Sequence, residues 1–265
     1  MKKFWRILKK VLLITAVLSA TTLFVVVLTA AVQKNESLKC KELVVKVDEE
    51  SGISFITNAE IAERINHLSG GSITGKEISK VDFKTIEREI EKNPFVANAE
   101  IFVDQSRVVT MKVEQKRPLL RVINSDGVSY YISEKNERIP LSDNFTPHLA
   151  VALGNVQIYH DAKRDSSVQN ALYTLMTYVQ KDTFLAALVD QVYVNENTEL
   201  EIMPRTGYHT INFGKVDGEM EEKFNRLKTF YHEGLSKVGW DKYKTINLQF
   251  EGQVVCVKRD TLNAL

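Results

Sequence analysis

The N-terminal part of the chain contains a long apolar stretch that limits what the whole chain can be. Residues 11–32 read VLLITAVLSATTLFVVVLTAAV and carry no charge, and their only polar members are Thr15, Ser19, Thr21, Thr22 and Thr29. A helix of this length spans roughly 33 Å, enough to cross a hydrocarbon core of about 30 Å. Its hydroxyl groups can bond carbonyls of their own helix. The stretch therefore predicts one transmembrane helix.

The charges on either side of this stretch predict its orientation. Residues 1–10 contain five basic and no acidic side chains, whereas the lysines that follow the stretch are mixed with acids. Because basic flanks stay in the cytoplasm and long domains cross regardless of charge, we expect residues 33–265 outside the cytoplasm. One alternative is a cleaved signal peptide, although signal peptides have a shorter apolar region of about 7–15 residues. A lipoprotein is disfavoured, because Cys40 lies beyond the apolar run.

The composition excludes several classes of protein. The net charge is +1, with 35 basic and 34 acidic residues, so no broad field attracts nucleic acid. The two cysteines, Cys40 and Cys256, can pair in an oxidising compartment or serve as ordinary small apolar residues. The histidines are scattered, and acidic pairs such as Glu49-Glu50 and Glu221-Glu222 are typical of solvated surfaces. We therefore predict no enzyme, cofactor, metal site or small-molecule substrate.

The residues after a polar stalk at 33–42 predict a small α+β domain. A β-like run at 43–47 precedes two helices, and each helix has a start signal: a capping box at Thr57 and Glu60, and an Asp82 cap. Two alternating strands follow at 97–103 and 109–113, joined by a turn at 104–107. The predicted order is β-α-α-β-β, with Phe102 on the polar face of its strand.

The rest of the chain predicts a second domain that is rich in strands. A strand, an Asp126-Gly127 turn and a second strand open it, and a short apolar run at 149–153 follows. Apolar spacing then predicts helices at about 168–179 and 217–236. Strands are predicted between them at 191–194, 199–203 and 209–213, and after them at 243–250 and 253–258, on both sides of a Glu251-Gly252 turn.

Residues 93–141 resemble a known family. The run Asn93-Pro94-Phe95-Val96, the step 113–119 (VEQKRPL), the tyrosines at 130–131 and the closing Ile139-Pro140-Leu141 are similar to the end of the POTRA domain and the start of the β-domain in the FtsQ/DivIB proteins. Within that family the chain looks most like members from the Bacteroidetes. The β-α-α-β-β order is also that of a POTRA domain, and a basic tail followed by one span fits the same family.

The resemblance implies a domain plan and a location. Residues 1–10 would be a cytoplasmic basic tail, 11–32 the transmembrane helix, 33–42 a stalk, 43–117 the POTRA domain, 118–260 the β-domain and 261–265 a C-terminal tail. The protein would be a single-pass protein of the cytoplasmic (inner) membrane, with its domains in the periplasm, at the division septum. Its fold class would be α+β.

The resemblance also implies partners and a binding strand. FtsQ proteins are non-enzymatic and take up a strand of FtsB by β-augmentation, with FtsL coiled alongside. When the family's binding strand is carried over by its position in the sequence, the predicted binding site comprises Phe250, Gly252, Val254, Val255 and Val257. Gln249 stands where the family often has an arginine, and Val257 where some members have a tryptophan. In the POTRA domain, the family binds other division proteins through the second helix and the second strand.

Three alternatives to this hypothesis stay open. The run Val254–Val257 is apolar on both faces, so it is also typical of an inner strand. A POTRA domain also occurs in polypeptide-transport factors, which would predict further POTRA repeats or a β-barrel. An anchored cell-wall hydrolase would require an acidic or zinc-binding cluster in a cleft.

Overall fold

The computed structural model describes residues 13, 15–28, 38–48, 52–156 and 167–259. Residues 15–28 form a helix, α1, and the hydroxyl groups of Ser19, Thr21 and Thr22 donate to carbonyls one turn earlier in it, as expected. The other parts of the stretch 11–32, apart from residue 13, lie outside the described residues. Within the described part of the chain, no helix combines the length and the apolar character that crossing a bilayer requires.

The described residues divide into two compact units. The first comprises the residues up to Asp48 together with Ile56–Glu114, and the second comprises residues 52–55 and those from Gln115 onward. Each unit has its own cluster of buried apolar side chains.

The first unit is built around a three-stranded sheet. Its elements follow the predicted order: β1 (Glu42–Val47), α2 (Asn58–Leu68), α3 (Phe83–Glu91), β2 (Val96–Val103) and β3 (Val108–Gln115). β3 lies in the middle of the sheet, parallel to β1. Ile65 of α2, Ile90 of α3 and Met111 of β3 meet in one buried core, since each presents its apolar side to the same face of the sheet.

The start signals of the two helices act as the sequence predicts. The Thr57 hydroxyl accepts from the Glu60 N–H, and the Glu60 carboxylate accepts from the Thr57 N–H at 2.7 Å. Asp82 accepts from the Thr85 N–H at 3.1 Å. These bonds satisfy N–H groups that have no partner within their own helix, and so they fix where α2 and α3 begin.

The second unit contains a nine-stranded mixed sheet. Its order is β12-β11-β10-β9-β8-β7-β4-β5-β6, with parallel pairs at β4–β7, β7–β8 and β10–β11. The strands are β4 (Pro118–Asn124), β5 (Ser129–Ser133), β6 (Arg138–Ile139), β7 (Val151–Gly154), β8 (Val189–Val194), β9 (Leu200–Pro204), β10 (Thr210–Gly214), β11 (Tyr243–Asn247) and β12 (Val255–Lys258). The predicted strands are thus all present, and β11 and β12 are shorter than their predicted ranges.

The helices of this unit differ from the prediction in two places. α4 (Ser167–Gln180) matches the predicted helix, but α5 (Thr183–Leu188) was not predicted; Asp182 caps it by accepting from the N–H groups of Phe184 and Leu185. The helix predicted at 217–236 is α6 (Met220–Thr229), followed by a π-helical segment, Phe230–Leu235, and a last turn, α7 (Ser236–Val238). Gly239, at a φ of 97°, ends the helical run.

Aromatic side chains join α6 to α4 and to β10, and a buried lysine of α6 pairs with a half-exposed aspartate. The Phe224 ring stacks on Tyr178 of α4, with ring centroids 5.2 Å apart, and packs against Phe213 of β10 at 4.8 Å. The ammonium group of Lys223 is buried under the same helix and donates to Asp217 at 2.9 Å and to the Lys215 carbonyl at 3.0 Å. This pairing makes burial of the lysine tolerable, because an unpaired buried charge is costly.

A short extended segment before α2 packs in the second unit. Gln115 accepts from the Phe55 N–H and donates to the Ile53 carbonyl, both at 2.8 Å, so its amide mimics a strand partner. The Phe55 ring is buried between Tyr131 and Phe145, at centroid distances of 5.9 and 5.6 Å. These contacts explain why residues 52–55 cluster with residues that follow them by sixty positions or more.

Candidate functional site: the edge strand of the second sheet

β12 is the last strand of the nine-stranded sheet. It pairs antiparallel with β11, and among the described residues no strand lies on its other side. The sequence left open whether Val254–Val257 was an inner strand; the sheet order places Val255–Lys258 at an edge. The opposite edge is β6, which has only two residues. A four-residue edge is therefore available for pairing with another chain.

The side chains of β12 divide between the two faces of the sheet. Val255 and Val257 are 39% and 55% exposed and occupy one face, while Cys256 packs against the buried core on the other. Burial raises the pKa of the Cys256 thiol, which keeps it protonated at neutral pH. Val254 also packs against the core and precedes β12, so of the five predicted site residues only Val255 and Val257 belong to the strand.

The backbone of β12 presents a specific set of groups to the open side. The Arg259 N–H donates to the Lys242 carbonyl beside β11, at 2.9 Å. Alternate residues of a strand direct their backbone groups to the same side, so Val257 and Val255 also face β11. The N–H and C=O groups of Cys256 and Lys258 therefore point outward, where an added strand would bond them.

The turn before β12 is held in place by several polar contacts. Gly252 adopts a φ of 67°, a left-handed conformation that favours glycine, and Phe250 is exposed beside it. Arg226 of α6 donates to the carbonyls of Leu248 and Phe250, at 3.1 and 3.4 Å. Sequence reasoning missed Arg226; its only signal was a basic residue in the last turn of an amphipathic helix.

The far end of the edge contacts Tyr208, which is the sequence neighbour of a buried histidine. Arg259, next after β12, donates to the Tyr208 carbonyl and places its guanidinium over the Tyr208 ring, 5.8 Å from the centroid. The neighbouring His209 is buried, and its Nε2 makes a short hydrogen bond with the Tyr231 hydroxyl. Burial and, to a smaller extent, the charge of Arg259 lower the pKa of His209, while Asp241 opposes them.

The lowered pKa of His209 predicts acid sensitivity of the second unit. The unfolded chain binds a proton at a histidine pKa of about 6.5, above the folded value, so the free energy of unfolding should fall as pH decreases through this range. This contribution is complete above the unfolded pKa and is lost as pH falls through the folded one. Urea unfolding between about pH 5 and pH 7 should show the slope, and His209→Gln should flatten it. An unchanged slope in the variant would assign the sensitivity to other groups.

In the first unit, the resemblance implies binding at the second helix and the second strand, which are α3 and β2. β2 is an edge strand of its sheet, and α3 covers part of that edge. Glu87 of α3 accepts from the Ile101 N–H of β2 at 2.6 Å, so one backbone group of this edge strand is already bonded. Phe102 lies on the polar face of its strand, as predicted, and is exposed there, while Ile101 packs on the core. A groove of about 510 Å³ lies near Lys39, Lys76 and Asp82, but Lys76 bonds backbone carbonyls at the end of α2 and Asp82 caps α3.

The groups considered for metal binding or catalysis are dispersed. Within the described ranges, no three histidine, cysteine, aspartate or glutamate side chains are arranged to hold a metal ion. Cys40 and Cys256 are free thiols. His67 lies in the last turn of α2, and Glu222 is near Arg226 at 3.8 Å. The pair Glu49-Glu50 lies outside the described residues.

Comparison with known protein families agrees with both units. Residues 38–114 match the model of a POTRA-like domain, and residues 117–257 match the model described as FtsQ/DivIB, C-terminal related. No curated protein matches the chain. The second match covers more than half of the 265 residues and spans the whole sheet from β4 to all but the last residue of β12. The resemblance seen in residues 93–141 is therefore confirmed, and the chain belongs to the FtsQ/DivIB family.

Proposed function

We propose that this protein is a membrane-anchored scaffold of the division machinery that captures a strand of an FtsB-type protein on β12, with an FtsL-type protein coiled alongside. FtsQ/DivIB proteins are a non-enzymatic family of cell division. In this proposal residues 11–32 anchor the chain in the cytoplasmic membrane, and the two units work in the periplasm at the septum. The scaffold would assemble the enzymes of septal peptidoglycan synthesis without catalysing a reaction itself.

The observation that carries the proposal is the open side of β12. An added strand would gain hydrogen bonds from the outward groups of Cys256 and Lys258, and its side chains would meet Val255 and Val257 on the solvent face. The short length of the edge and the lysine at its end limit non-specific pairing, which is how natural edges avoid aggregation.

Replacing Cys256 by proline tests this edge directly. Proline removes one outward N–H group, so we expect FtsB-type and FtsL-type proteins to co-purify with the membrane-extracted full chain but not with Cys256→Pro, with partners identified by mass. Cys256→Ala is the matched control, because it removes the thiol and keeps the N–H; it should retain the partners. Proline at Val255 would be less informative, since that N–H faces β11.

The possible outcomes separate the parts of the proposal. Circular dichroism and thermal unfolding must show that Cys256→Pro keeps its fold. Partners that persist with a folded Cys256→Pro variant would place the contact away from β12. If no division protein accompanies the wild type, the scaffold role itself is contradicted.

A further inference from the structure

Four basic residues lie at the C-terminal end of the edge strand and beside it at the start of β11. Lys258 is paired with Tyr243 in the β11–β12 register, next to a register shift between Tyr243 and Thr245, and Lys242 and Lys244 are the sequence neighbours of Tyr243. Arg259 is bonded through its N–H to the Lys242 carbonyl. All four side chains are exposed. Their backbones therefore lie on two neighbouring, paired stretches of chain, at the place where the edge ends.

These four cations are not neutralised by neighbouring acids. No ion pair joins any of them to an acidic side chain within the described ranges, although seven such pairs occur elsewhere in them. Asp241 precedes Lys242, just before β11, and in the sequence Asp260 follows Arg259. The positive charges thus outnumber the acids at this end. The surplus is available to a partner.

The other end of the edge has the opposite character. Glu251 is exposed in the turn before β12, and Arg226 is largely buried against the carbonyls of Leu248 and Phe250, with Glu222 3.8 Å away. Gln249, beside the exposed Phe250, is uncharged. An incoming strand therefore meets an apolar to acidic surface at the turn and a basic surface at Lys258.

We propose that the strand bound by β12 carries acidic residues at the end that lies beside Lys258. This inference rests on the proposed function, because it assumes that β12 accepts a strand. Antiparallel pairing is the more stable arrangement per residue, so the acidic residues lie at the N-terminal end of the bound strand. The apolar residues that follow cover Val255 and Val257, and the C-terminal end reaches Phe250.

The proposal is tested with synthetic strands binding to the full chain in detergent. One fluorescent peptide alternates threonine and valine and begins with two glutamates; a second begins with two lysines, and a third has the glutamates at its C-terminus. Anisotropy titrations should show the first binding about tenfold more tightly than the other two at low salt, with the advantage shrinking as salt screens the charges.

Charge-reversal variants identify the groups responsible. Lys242→Glu combined with Lys258→Glu should reverse the preference between the first two peptides. Lys135→Glu combined with Lys181→Glu, which changes two exposed lysines away from β12, should leave the preference unchanged. Equal binding of the three peptides, abolished by Cys256→Pro, would overturn the charge inference and leave the edge function standing. Binding that survives Cys256→Pro, or its complete absence, would overturn both.

Discussion

Replacing Phe224 by alanine is expected to destabilise the second unit by about 3–5 kcal/mol, because this ring is fully buried. The truncation would remove the stack on Tyr178 of α4 and the contact with Phe213 of β10, through which the ring packs α6 against both elements. The cavity left behind adds to the lost transfer free energy, since a close-packed core relaxes only in part.

Urea unfolding followed by Trp240 fluorescence measures this effect, since Trp240 packs 5.6 Å from Tyr231 in the same unit. A Trp5→Phe background removes the second tryptophan. Phe250→Ala is the matched control: that ring is 49% exposed and should change stability by no more than about 0.5 kcal/mol. Similar losses for the two variants would contradict the described packing of α6.

Replacing Phe55 by alanine is expected to cost a similar amount, about 3–5 kcal/mol. The ring is buried between Tyr131 and Phe145, and the neighbouring backbone depends on it for its position. Its carbonyl accepts from Ser142 and from Asn144, both at 3.1 Å, and its N–H donates to Gln115. Loss of the ring would therefore loosen a segment whose polar groups bond three separate side chains.

A graded series makes this prediction sharper. Phe55→Leu keeps most of the buried apolar surface and should cost only about 1.5 kcal/mol. Hydrogen exchange should show lost protection at the Phe55 amide in the alanine variant and near-normal protection in the leucine variant. Equal, small effects of the two substitutions would mean that the segment at 52–55 is held by its hydrogen bonds alone.

Local signals in the sequence were sufficient to predict most elements. Thr57 with Glu60 set the start of α2, and Asp82 set the start of α3, because capping depends on neighbours a few residues away. The missed helix, α5, is too short for an apolar period to appear; only its cap, Asp182, marked it. The π-helical segment has no sequence signal of its own, since its apolar spacing continues that of α6.

The order of the strands could not be predicted from such signals. β4 pairs with β7, and β10 pairs with β11, across long connections. Each pairing therefore depends on contacts between residues that are distant in the sequence. The candidate site shows the same limit. Val254–Val257 is apolar enough for an inner strand, and only the sheet order shows that Val255 and Val257 face solvent. The role of Arg226 in holding the turn also depends on a contact more than twenty residues away.

The two bonds from Arg226 to the Leu248 and Phe250 carbonyls have a thermodynamic consequence for binding. They fix the turn before any partner arrives, so the edge has little conformational entropy left to lose. Nearly all the ordering cost of association then falls on the incoming strand. Calorimetry should therefore show favourable enthalpy opposed by unfavourable entropy, and a partner already extended in its free state would gain affinity without any new contact.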